Sequence, residues 1–235
     1  MRGLVVALDG PGSSGKSSVG AAAAVRLGYR FCDTGLLYRA VTWLAEHRGV
    51  EVDDPVALAE LVDEVELAPD ELGRLARVLV DGVDHTDEVR SPAVDAAVSA
   101  VAAVPELRDA LLARQRSLAA DGSIIIAGRD IGTVVLPDAD LKIFLDASVE
   151  ERARRRTEER GLDPASTEAQ AILVALRRRD ELDRNRPVAP LRAASDARII
   201  TTDGNEFDDT VDALVHAIED VIDRRAADET TGTRV

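Results

Sequence analysis

The residues best placed to do chemistry come early in the chain. Gly10-Pro11-Gly12-Ser13-Ser14-Gly15-Lys16-Ser17-Ser18 fits the spacing G-x-x-x-x-G-K-[ST]. Glycines in such a loop let backbone N–H groups converge on phosphate oxygens, and the following helix turns its positive end toward them. Lys16 would reach the β- and γ-phosphates, and the Ser17 hydroxyl would bind Mg²⁺. The context suits this: the apolar run Leu4–Asp9 reads as a strand and the Ala-rich stretch Ala21–Leu27 as a helix. Lys16 is one of only two lysines, with Lys142, against 27 arginines, so lysine is retained here where the chain otherwise uses arginine. A phosphate-binding loop alone leaves several classes open. A GTP switch reads its base with Asn-Lys-x-Asp, which the sequence lacks. A hydrolytic ATPase wants an apolar strand ending in a metal-holding acid, and Leu141–Leu145 followed by Asp146 keeps that class alive.

Three further clusters fall at or near strand ends. Asp33-Thr34-Gly35-Leu36-Leu37-Tyr38-Arg39 follows a short candidate strand, Tyr29–Asp33. Gly128-Arg129-Asp130-Ile131-Gly132-Thr133 follows another, and ligands of parallel sheets bind at that carboxyl edge. The third cluster, Arg177 to Arg186, ends a helix on which Arg179, Asp183 and Arg186 are spaced i, i+4, i+7 and share one face. Pro187 disfavours helical geometry at Arg186, which leaves that side chain's direction open. Each cluster has a plainer explanation: a solvated ion-pair face worth under about 1 kcal/mol per pair, a helix cap at Asp33, a core position for Tyr38. Their convergence on one edge of a phosphate-binding fold favours a site for anions.

These side chains need a frame, and the hydropathy pattern supplies one. Continuous apolar runs at Leu4–Asp9, Ser123–Gly128, Leu141–Ala147 and Ala197–Thr202 suit strands buried on both faces. With Tyr29–Asp33 they predict a parallel sheet of about five strands flanked by helices. Ser148 to Glu151 reads as a capping box, Thr167 with Gln170 as another opening a helix to about Arg184. Phe207, Val211, Leu214, Val215, Ile218 and Val221 fall at helical spacing and predict a last helix packed on the sheet, with 228–235 frayed. Glu64–Arg90 breaks the βαβ rhythm, and its turn signals Asp70 and Asp81-Gly82 predict a small antiparallel insert.

Composition fits one α/β domain with an insert: 235 residues, 46% hydrophobic and 31% charged, enough to bury a core unaided. The net charge of −15 disfavours a nucleic-acid binder. It is uneven: residues 1–127 balance to −8, residues 128–198 hold 14 basic and 14 acidic side chains, and 199–235 balance to −7. Arginine thus gathers in the middle of the C-terminal half, where bidentate contacts to phosphate are made. No apolar run nears the roughly 20 residues of a membrane span, and one cysteine, Cys32, cannot form an internal disulfide. The expectation is a soluble, cytoplasmic protein with no nucleic-acid or membrane partner.

The strings ALDGPGSSGKSS (7–18), DTGLLYR (33–39), AVAAVPELRDALLARQR (100–116), AGRDIGTVVLPDADLKIFLDAS (127–148) and RRRDELDRNRPVAPL (177–191) together resemble the bacterial cytidylate kinases. That resemblance implies a nucleoside-monophosphate kinase moving the γ-phosphoryl of ATP, with Mg²⁺, to CMP or dCMP. It implies that Gly10 to Ser18 hold ATP phosphates; that Thr34, Arg39, Arg129 and Arg186 contact the CMP phosphate; that Tyr38, Arg179 and Asp183 hold the sugar; and that Ser99, Arg108 and Asp130 read cytosine. Arg152, Arg155 and Arg156 would be arginines of a mobile LID, about 149–167, closing over the phosphates, while the insert, about 61–91, shapes the monophosphate pocket. Thr34 stands where the family usually has serine; the hydroxyl is kept and a methyl is added. Lys16, Arg129, Arg179, Arg186 and the LID arginines would carry catalysis, with no role for His47, His85 or His216, since the attacking phosphate oxygen is already anionic. A monomer is expected. A UMP- or AMP-preferring kinase and a nucleotide-switched binding module stay as alternatives.

Overall fold

The computed structural model describes residues 3–232. Val5–Asp9 (β1), buried along its whole length, is flanked in parallel by Ile124–Gly128 (β6) and Leu141–Asp146 (β7). Arg30–Asp33 (β2) pairs with β6, and Arg198–Thr201 (β8) with β7, also in parallel. This is the five-stranded parallel sheet that the apolar runs predict. Its side chains alternate between two cores. Leu4, Val6, Leu8 and Ile125 face Lys16–Leu27 (α1) and the last helix, Phe207–Gly232 (α8), while Val5, Ala7, Ile124 and Ile126 pack on the other face with Ala119 and Leu112. Each such fully buried aliphatic side chain stabilises the fold by roughly 1.5–3 kcal/mol.

The insert does not stand apart from this sheet. Val65–Pro69 (β3), Leu75–Val80 (β4) and Val83–Asp84 (β5) form an antiparallel unit, and β4 joins β2 in parallel through Cys32 and Leu75, giving eight strands in all. The β4–β5 turn is Asp81-Gly82, both with positive φ (52° and 76°), as a two-residue hairpin loop requires. Around the insert gather Gly35–Arg48 (α2), Pro55–Glu60 (α3), Pro92–Val101 (α4) and Pro105–Leu118 (α5), which share a core with Val65, Val78 and Val80. Val149–Glu159 (α6) and Thr167–Arg184 (α7) pack on one another through Ala153, Ile172 and Leu176.

Local details depart from the sequence expectations in four places. Ser148 caps α6 by accepting from Glu151 N–H at 3.2 Å, but the return half of the box is missing: the Glu151 carboxylate is drawn to Arg154 and Arg155, and Asp203 takes the Ser148 N–H. The cap of α7 is Ser166, accepting from Ala169 N–H at 3.1 Å, because Ser166 is extended while Thr167 is already helical. Phe207 does not pack on the sheet; at the first turn of α8 it is 50% exposed. Finally, α8 runs to Gly232, past the start of the expected frayed tail 228–235, of which 233–235 lie outside the described residues.

Candidate active site

The phosphate-binding loop is fixed by what surrounds β1. Gly10 has φ +152°, and a Cβ there would lie 2.2 Å from the Leu145 carbonyl oxygen on β7, so only glycine lets the chain turn there. One residue earlier, the Asp9 carboxylate accepts from Ile131 N–H at 2.8 Å and Gly132 N–H at 2.7 Å, tying the loop to the turn after β6. Burial pushes the Asp9 carboxyl up to about 6 against the pull of those two donors. Gly15, at φ +90°, opens α1.

Within the loop Lys16 folds inward, its Nζ donating to the Pro11 carbonyl at 2.6 Å and to Ser14 Oγ at 3.3 Å. Burial first, then the Arg129 charge, lowers its pKa well below the usual lysine value. An anion in the loop would attract the ammonium and oppose both effects, so the lysine is poised for phosphate. Ser18 Oγ donates back to the Gly15 carbonyl at 3.0 Å, and Ser13 adopts φ 60° within the loop. Ser17 Oγ donates to Asp33 Oδ2 at the end of β2, which sets a hydroxyl beside a carboxylate at the mouth of the loop.

Arginines cover the loop from the opposite side. A Cβ on Gly12 would lie 3.5 Å from Arg129 Nη2 and 3.5 Å from Arg179 Nε, which places both guanidiniums against the loop. Arg129 Nε donates to Asp183 Oδ2 at 3.0 Å, and Ser99 Oγ to Asp183 Oδ1 at 3.4 Å. Burial would raise the Asp183 carboxyl, but Arg129, Arg179 and Arg186 outweigh it and hold it below its ordinary value. Arg108 pairs with Asp130 Oδ2 and donates to the Ala102 carbonyl, while Arg186 lies 3.8 Å from Asp130 Oδ1. The Arg108 guanidinium also lies 5.4 Å from the centre of the buried Tyr38 ring, within cation–π range. Two donors in this region, Arg179 Nε and Arg186 Nε, are buried without a partner. Unpaired buried donors are costly and call for an acceptor.

The whole arrangement lies on the carboxyl edge of the parallel strands, with the nucleotide loop at β1 and the second set of groups fanned over β2 and β6. A model of the family described as "Cytidylate kinase" matches residues 6–220. The chain belongs to the cytidylate kinase family. A cytidylate kinase from Nocardia farcinica is 45% identical over 95% of this chain and 97% of its own length. One from Rhodococcus opacus is 44% identical over 92% and 95%. A bifunctional pantoate ligase/cytidylate kinase from Synechococcus sp. is 47% identical over 90% of this chain but only 44% of itself.

Against the residue roles that the cytidylate kinase resemblance implies, the structure gathers Tyr38, Arg108, Arg129, Asp130, Arg179, Asp183 and Arg186 into one connected cluster of side chains. Ser99 donates to Asp183 at 3.4 Å. Thr34 is 2% exposed and turns its hydroxyl to donate to the Ala127 carbonyl at 2.9 Å, leaving only lone pairs for a ligand. The LID arginines separate. Arg152, 1% exposed, donates to the Ala147 carbonyl, the Gly12 carbonyl and Asp180, so in this structure it is a buried strut beside the loop. Arg155 turns outward to Glu151 and Thr202. Arg156 alone reaches across, to Asp95.

Three acids with parts in the site escaped the sequence reading. Asp9 was visible only as a strand end. Asp180 lies inside the arginine-rich segment, where neighbouring charges hid it. Asp95 stands one helical turn before Ser99 on α4, and that i, i+4 spacing was the available signal.

Proposed function

We propose that this chain transfers the γ-phosphoryl group of ATP to CMP or dCMP, giving CDP or dCDP and ADP. The observation that carries the proposal is a pair of buried, unpartnered donors among the clustered arginines: Arg179 Nε, set against the phosphate-binding loop at Gly12, and Arg186 Nε, beside Asp130. A nucleotide switch needs one phosphate-binding loop; a second basic cluster beside it suits a second phosphorylated ligand. Gly10 to Ser18 hold the donor phosphates, whose charge favours the protonated form of Lys16. Arg129, Arg179 and Arg186 bear on the acceptor phosphate together with Arg39, and spreading charge during transfer is met by guanidiniums already in place.

Cytosine presents an amine donor beside N3 and O2 acceptors. The Asp130 carboxylate with the Arg108 guanidinium matches that edge, whereas uracil would turn a carbonyl toward the acid. Tyr38 and Asp183 border the sugar. Ser17 with Asp33 offers oxygen donors fit for Mg²⁺, which would supply charge neutralisation between the phosphates; the remaining ligands of such an ion come from nucleotide and water. Helix α6 and the turn after it, about 149–167, would cover the phosphates, anchored at its start by Arg152 and with Arg156 its inward-facing arginine. Among the described residues no helix is long and apolar enough to cross a membrane, and the proposed setting is a cytoplasmic monomer acting on small molecules.

The test is ADP formation from ATP and Mg²⁺ with CMP, dCMP, UMP or AMP supplied singly. Fast turnover with CMP and dCMP and far slower turnover with the others is expected. Slow ADP release that no monophosphate accelerates would overturn the proposal in favour of a nucleotide switch.

A further inference from the structure

Asp95 carries an arrangement that the substrate roles above do not use. Its carboxylate is contacted from three separate elements: Arg39 of α2 at 2.5 Å, Arg156 of α6 at 2.7 Å and Arg179 of α7 at 3.6 Å. The Asp95 side chain is 19% exposed, so this is no solvent-screened surface pair. Burial raises its carboxyl, but the guanidiniums of Arg39, Arg156 and Arg179 outweigh that and keep it ionised below the ordinary range.

Charge decides what this cluster is for. Asp95 shared among Arg39, Arg156 and Arg179, with Asp183 paired to the neighbouring Arg129, sets two carboxylates against four guanidiniums and leaves two positive charges unbalanced. Such a group of arginines is incomplete with a monoanion and matched by a dianion. A phosphate monoester offers that charge, with three oxygens to accept bidentate contacts. We propose that Asp95 is a resident counter-anion: it holds Arg39, Arg156 and Arg179 in place before substrate arrives, and the acceptor's phosphate then takes over their donors. Asp95 is thus a positioning residue that also opposes the ligand it prepares for. Its charge lowers the apparent affinity for a nucleoside monophosphate in exchange for an ordered pocket. This rests on the acceptor assignment proposed above.

The two effects separate in Asp95→Asn, which keeps the shape and removes the charge. The variant is expected to melt at a lower temperature without ligand, because like charges are left facing one another. By calorimetry it is expected to bind CMP about tenfold more tightly than the natural protein, with the KM for CMP falling and kcat not rising. Inorganic phosphate, used as a second probe, should raise its melting temperature more than it raises that of the natural protein. Asp95→Glu, which retains the charge, should leave the CMP affinity within about threefold. If Asp95→Asn does not fold, Asp95→Ser removes the same charge and is expected to move the affinity the same way.

An unchanged or weakened CMP affinity in both uncharged variants would overturn the proposal, leaving Asp95 an ordinary structural ion pair. If instead the natural protein fails to bind CMP while phosphate still stabilises the Asn variant preferentially, the counter-anion role stands and the acceptor assignment falls.

Discussion

Arg152 separates two accounts of how α6 serves the site. As a mobile LID arginine its loss would slow phosphoryl transfer and leave the fold intact. As the buried strut described above, its loss strikes the fold first. Four of its N–H groups are committed: Nε to the Ala147 carbonyl at 3.0 Å, Nη1 to the Gly12 carbonyl at 2.9 Å and Asp180 Oδ1 at 3.1 Å, Nη2 to Asp180 Oδ2. Arg152→Met leaves the 7% exposed Asp180 without its partner and the Gly12 carbonyl without a donor. Breaking one side of a buried pair costs about 3–5 kcal/mol, and at about 2–4 °C per kcal/mol for a domain this size the melting temperature should fall by roughly 6–20 °C. Removing both partners, as Arg152→Met with Asp180→Leu, should recover stability to within roughly 1–2 kcal/mol, since a buried ion pair is replaceable by apolar packing. The loop defect has no such remedy, so the double variant should stay roughly tenfold or more below the natural protein in kcat/KM for ATP. Urea denaturation with steady-state kinetics on the same preparations measures both. A single variant that melts within about 2 °C of the natural protein and loses only kcat would refute the strut.

Two other outcomes follow from the site. Burial lowers the Lys16 pKa, while bound phosphate favours its charged form; binding of ATP should therefore be accompanied by proton uptake at pH values between the lowered and the restored pKa, and not in Lys16→Met. Calorimetry in buffers of differing ionisation enthalpy reads this directly. Asp130→Asn should reduce the preference for CMP over UMP by about tenfold or more, because an amide can face either base edge. It should also lower stability, since Arg108 and Arg186 lose their shared counter-charge. Competition assays with both monophosphates check the first effect, and an unchanged ratio would remove Asp130 from base recognition.

The nucleotide half of the site was legible because it is built from local rules. A strand, a glycine turn and a lysine adjacent in sequence are adjacent in space, and the continuous apolar runs marked the strands, although the one at Ala197–Thr202 forms an edge strand with Ile199 63% exposed and not a strand covered on both faces. The arginines were legible as a group but not one by one. Arg152, Arg155 and Arg156 are neighbours on one helix, and only the packing of α6 against α7 and the loop decides which is buried, which turns outward and which reaches Asp95. Arg186 shows the same limit: it lies beyond the end of α7, yet the chain after it folds back, with Ala189 at φ 51° accepting from its guanidinium. The caps were misplaced where two hydroxyl residues adjoin, at Ser166 and Thr167. Phe207 was misread because periodicity specifies a face and not where along the helix the sheet ends.

The joint between insert and sheet bears on how this protein breathes. The acceptor half meets the nucleotide half's strands at one residue pair, Cys32 with Leu75, whereas β1 and β6 are zipped along five. A cooperative unit ends where few hydrogen bonds cross. Amide protons of β3 and β4 can therefore exchange through an excursion that leaves β1, β6 and β7 closed, a slow hinge beneath a rigid catalytic floor.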